Sequence, residues 1–268
     1  MVGAPIPMWE MQIAFAIGLA GIYFGWQGTL ARMTGFYDLS GAFKTLIAGI
    51  VVGAIVASLI DVLILANIRD SSLNILEVSA LSLVIASAES AFALFILGRP
   101  KTVGLRASAP YGWTLGLGYG AMRAAHLNVR LFDPLIWPDV TGFNAINIFI
   151  AILISITACI GHAMIASWQG SKIVEHERAK TFFTSSLARG VLILGTVLSV
   201  FSPLILILLA PAIPLFWNYS QKQWLASGMT PAAAQAYRRT IRGSSRHEHA
   251  AATRTRGEIV SWITDEEE

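Results

Sequence analysis

Between Val78 and Gly98 the chain carries one charged side chain, Glu89. Comparable runs recur. Leu46 to Ile68 holds only Asp61, and Phe143 to Trp168 and Gly190 to Trp217 hold no Asp, Glu, Lys or Arg at all. Hydrocarbon offers no hydrogen bonds to a peptide group, so a chain crossing it must satisfy its backbone internally, as a helix or a closed barrel. One helical crossing takes about 20 residues. These runs are of that length and lack the apolar–polar alternation of barrel strands. The expectation is an all-α, polytopic integral membrane bundle with about six to eight transmembrane helices over residues 1–217. A composition of 55% hydrophobic and 13% charged residues excludes an ordinary soluble domain.

Spans are expected at Trp9–Leu30, Leu46–Ile68, Ile75–Leu97, Pro110–Asn128 and Phe143–Trp168, with the run Gly190–Trp217 to follow. Met1 to Glu10 has no Lys or Arg, so it lacks the basic region of a cleaved signal peptide, and the first helix is expected to be retained. The single cysteine, Cys159, rules out an internal disulfide and a cysteine-based zinc site and reads as a small core residue. The loops after spans one, three and five contain Arg32, Lys44, Arg99, Lys101, Arg106, Lys172, Arg178, Lys180 and Arg189. The opposite side has Arg69, Arg123 and Arg130. That asymmetry predicts an external N-terminus and a cell membrane location. A turn at Ser202-Pro203 would return the chain and leave the tail cytoplasmic. Residues 218–268 form a soluble basic tail, with seven of the 19 Lys and Arg after residue 217. Thr230-Pro231 should start a short helix near 231–241. The tail's charge, without interleaved aromatics, suits anionic lipid better than nucleic acid. Gly243 to Arg256 reads as disordered, and His247 and His249 as at most a weak metal pair.

The candidate site is built on Glu89. It lies about 21 Å along its helix at 1.5 Å per residue, and an acid at such depth is a functional candidate by default. Ser79, Ser82, Ala86, Glu89 and Ala93 recur at helical spacing, so Glu89 should face a packed, small-residue seam. Asn74 and Glu77 form a capping box, which makes Glu77 structural. Asp61 is expected at the interface beside Arg69. Gly112, Gly116 and Gly120 form a stripe for close helix packing, followed by Arg123 and His126. Ser155, Cys159, His162 and Gln169 form a polar stripe on the fifth span. Neither a phosphate-binding loop nor a Gly-x-Ser-x-Gly elbow is found.

The order of these residues resembles the PrsW-type intramembrane proteases of the CAAX-protease and bacteriocin-processing superfamily. The likeness rests on Ala88-Glu89-Ser90, the turn Gly98-Arg99-Pro100, the glycine-rich run Tyr111 to Arg123, and Gly161-His162-Ala163-Met164 with Gly170, so it covers about Leu81 to Gly170. It implies a metal-dependent hydrolase acting on a membrane protein or peptide. Glu89 and His162 would be catalytic, and Glu89, His126 and His162 would ligate one divalent metal, zinc. The departures are specific. The family's paired glutamate is reduced to Glu89, the Lys or Arg four residues on is missing, and Arg123 stands at the second-motif glutamate. An ion pair between Arg123 and Glu89 would instead make the chain a non-catalytic relative kept for scaffolding or binding. A third reading is a transporter or complex subunit with Glu89, Asp61 and His162 as a proton relay.

Overall fold

The computed structural model describes residues 6–33, 35–69, 74–137, 139–241, 253 and 256–257. Among them every regular element is helical. The long helices are α1 (Met8–Gly28), α2 (Leu39–Ile60), α3 (Ile75–Leu97), α4 (Ser108–Phe132), α5 (Ala145–Val174) and α6 (Arg178–Leu198). Shorter pieces follow: α7 (Ile205–Leu209), α8 (Ala212–Tyr219) and α9 (Pro231–Ile241). Five segments are long and apolar enough to cross a membrane: Met8–Met33, Leu39–Ile68, Ile75–Leu97, Ala145–Val174 and Arg178–Leu198. Val51, Ile55, Val84, Phe95, Phe149 and Val191 each leave more than half their surface outward, as lipid-facing side chains do. The chain is a multi-pass membrane protein with an all-α bundle fold.

The centre of the bundle is α4, which is not one of the five apolar segments. It packs against α5, α2 and α1, and nearly all its side chains are buried. Its glycines are the reason it fits there. A Cβ at Gly112, Gly116 or Gly120 would overlap the α5 backbone at Ala166, His162 or Ala158, one helical turn apart each time. Gly118 lies against the α2 backbone at Gly49 and Ile50. The glycine stripe is therefore a packing device, as expected.

Helix ends follow the sequence signals. The capping box of Asn74 and Glu77 is present at α3. Asp38 caps α2 through the amides of Ser40 and Gly41, at 3.1 and 2.9 Å. Tyr111 on α4 donates to the same carboxylate at 2.9 Å, and this bond, first among several, holds the Asp38 carboxyl below its ordinary range.

Several boundaries differ from expectation. The last apolar run does not begin at Gly190: α6 starts at Arg178, so Arg189 is a mid-helix residue and not a loop charge. Arg123 likewise lies inside α4 and belongs to neither loop set. Asp61, set in a π-helical turn, pairs with Arg130 on α4, with Nε to Oδ1 at 2.6 Å. The side chain of Arg69, the expected neighbour, lies outside what the structure describes.

The chain does turn near Pro203. Trp137 and Phe201 meet edge to face at 5.8 Å, and Pro203 lines a surface pocket with Asp139 and Asn144. From there α7 and α8 run back to the far end of the bundle, where Gln221 donates to Thr29 at 3.0 Å. The start of the tail is part of the fold: buried Tyr237 on α9 packs on Phe36 and donates to Gln221. Arg242, the His247–His249 pair, the stretch expected to be disordered (apart from Thr253 and Arg256) and the acidic terminus lie outside the described residues.

Candidate functional site

Four long helices each place polar side chains in one buried volume. From α3 come Glu89 and Ser90, from α4 Tyr119 and Arg123, from α5 His162 and Gln169, and from α6 Arg189. Glu89 and Arg123 are 1% exposed, and His162 and Arg189 are fully buried. Of the expected α3 seam, Ser82, Ala86, Glu89 and Ala93 are buried and Ser79 is half-buried. So is the α5 stripe of Ser155, Cys159, His162 and Gln169. Ser155 bonds Asn128 and Cys159 reaches the Gly18 carbonyl, so the stripe ties α5 to α4 and α1 before it reaches the site.

Arg123 organises the chemistry. One guanidinium nitrogen, Nη2, donates to Glu89 Oε1 at 2.5 Å, and the other, Nη1, contacts His162 Nε2. Arginine has only donors, so Nε2 accepts and the imidazole is neutral with its proton on Nδ1. Nδ1 lies 3.9 Å from Glu89 Oε2, too far for a hydrogen bond. Gly116 sets this geometry, because its missing side chain lets the His162 backbone settle against α4.

Arg189 forms the second half of the cluster. Its Nη1 donates to Ser90 Oγ at 3.0 Å, and its guanidinium lies 5.7 Å from the centre of the Tyr119 ring. Gln169 donates to the Ser90 carbonyl at 2.8 Å, fixing that turn of α3 against α5. The sequence reading placed Arg189 in a loop. The signal that locates it is the spacing of Thr181, Ser185, Arg189 and Thr196, which places all four on the inward side of one helix and buries them all.

Glu89, Arg123 and His162 are thus brought together. His126 is not: its Nδ1 faces the Met122 carbonyl at 3.0 Å and its ring packs on Phe15. The expected three-ligand set of Glu89, His126 and His162 is not assembled. Among the described residues no group of three His, Cys, Asp or Glu side chains is placed to hold a metal ion. Catalytic zinc needs three protein ligands and an open position. Here Arg123 occupies the lone pair of His162 Nε2 and one lone pair of Glu89 Oε1. As arranged, with Arg123 between Glu89 and His162 and with His126 elsewhere, the three expected ligands do not form one metal site.

Compared with known families and proteins, the chain matches no family model, no curated protein and no solved structure.

Proposed function

We propose that this protein is a non-catalytic membrane scaffold or binding protein, with a PrsW-like order of helices whose acid and imidazole serve to lock the bundle. The observation that carries this reading is the Arg123 guanidinium seated between Glu89 and His162. It joins α3, α4 and α5 through one residue. It also places positive charge where a hydrolase would concentrate negative charge around a cation. Removing one member of such a buried pair costs about 3–5 kcal/mol, because the other charge is left uncompensated.

Metal analysis of the purified full chain tests the proposal. The expected result is no equimolar zinc, and no gain in thermal stability when zinc is added. An equimolar divalent metal that Glu89→Ala and His162→Ala each lose would instead establish the hydrolase.

A proton-linked transporter is a second reading, favoured by the unpartnered Glu89 Oε2 and His162 Nδ1 facing each other at 3.9 Å. Asp61 has no part in it, since it pairs with Arg130, about two helical turns beyond Arg123 on α4. Proton uptake into proteoliposomes, followed with a pH-sensitive dye and abolished by Glu89→Gln, would support that reading over the first. The charge asymmetry favours a cytoplasmic tail, whose exposed Arg238 and Arg239 suit anionic headgroups.

A further inference from the structure

The buried cluster does not balance its charge. Glu89 supplies one negative charge, and Arg123 and Arg189 supply two positive ones. His162 is neutral by its hydrogen bonding, and Tyr119, a phenol, adds no charge near neutral pH. Glu89 is engaged by Arg123. Among the described residues, no carboxylate lies within ion-pair distance of Arg189.

Arginine cannot discard its proton to escape this cost. A buried charge without a partner is among the most expensive features a fold can carry. Arg189 is nevertheless fully buried, three turns inside α6. Two of its donor atoms, Nε and Nη2, have no partner, and neither has the hydroxyl of Tyr119, the aromatic residue it faces. Nε and Nη2 form one edge of the guanidinium fork, the edge that takes an anion with two parallel N–H bonds.

We propose that the bundle core holds a small monovalent anion of halide size on the free edge of Arg189, with the Tyr119 hydroxyl as a further donor. The anion neutralises the cluster and completes the hydrogen bonding of α6 against α4. Nothing in this requires the scaffold reading: a transporter or a hydrolase with the same helices would have the same unpaired guanidinium.

The test is equilibrium binding of radiolabelled chloride to the purified full chain in lipid nanodiscs. Saturable binding equimolar with protein is expected. Arg189→Gln should weaken it by about tenfold or more, equivalent to ~1.4 kcal/mol. Lys101→Gln, at an exposed position on the surface, should leave it unchanged. Tyr119→Phe, which keeps the cation and removes one hydroxyl, should weaken binding less than Arg189→Gln. It also decides the matter if Arg189→Gln does not fold. Folded wild type with no saturable chloride binding would overturn the proposal. So would binding that neither Arg189→Gln nor Tyr119→Phe alters, since the ion would then sit elsewhere on the surface.

Discussion

Arg123 is the residue whose removal should be felt most widely, since three helices meet on its guanidinium. Arg123→Ala leaves Glu89 buried and uncompensated, and a loss of about 3–5 kcal/mol is expected. The Glu89→Ala/Arg123→Ala pair removes both charges and should be less destabilised than Arg123→Ala alone. Equilibrium unfolding in mixed micelles of both variants checks this, and additive losses would refute the ion pair as an energetic unit.

Asp38 makes a pH prediction at the same scale. Its folded pKa lies below the unfolded value of about 3.9, chiefly through the Tyr111 hydrogen bond. Its contribution is therefore fully present above the unfolded value and is lost as pH falls through the folded one. Thermal melts between neutral and acid pH should show a low-pH decline that is shallower in Tyr111→Phe.

Glu89 and His162 were legible as candidates because each is a polar residue deep in an apolar helix, and Arg123 because it follows the glycine stripe near the end of its span. His126 was equally conspicuous in the sequence. What separates it from the others is the face of α4 on which it falls, and that depends on which neighbour lies there.

At the level of single helices, α4 depends on close approach and not on greasiness. Gly116→Val would drive a side chain into the α5 backbone at His162. Backbone yields less readily than a side-chain tip, so the cost should reach or exceed the ~1–3 kcal/mol usual for overpacking. Gly104→Ala is the control: it lies at the end of a short surface turn with open space around it, and no measurable change is expected. Equal melting temperatures for the two variants would refute the packing role.

The stripe itself could be read from sequence, because a four-residue glycine repeat has few other uses in a membrane helix. The start of α6 could not be read the same way. Hydropathy locates where a run becomes apolar, whereas α6 begins with Arg178 and Lys180 at the membrane edge and carries its polar face inward. A buried inward face and an exposed loop look alike to a hydropathy average.

Over the whole molecule, the two ends of the bundle can be told apart. Asp38 with Tyr111, Gly228 against Arg106, and Tyr237 against Phe36 gather at one end. Trp9 with Phe143, and Trp137 with Phe201, gather at the other. With Arg189 and Arg123 inside the bundle, the loop charges divide more unevenly than the sequence tally had it, and on the positive-inside rule we propose that the first end is the cytoplasmic one.

Gly104→Cys and Gln235→Cys should therefore be protected from an impermeant maleimide in intact cells, and Leu135→Cys should be labelled. Native Cys159 is buried and contributes no background. Labelling of Gln235→Cys together with Leu135→Cys would mean that the chain does not return after Pro203.

The sequence by itself determined that this chain is a helical membrane bundle, where its acids and imidazoles lie along the helices, and which stripe of α4 must be close-packed. Each of these follows from local rules, such as backbone hydrogen bonding in hydrocarbon, helical periodicity and the lack of a glycine side chain. Tertiary structure alone decided that Arg123 stands between Glu89 and His162, that His126 is elsewhere, and that Arg189 joins the cluster from a sixth helix. Those outcomes depend on the rotation and depth of each helix relative to its neighbours, which the packing of the whole bundle sets and no single segment encodes.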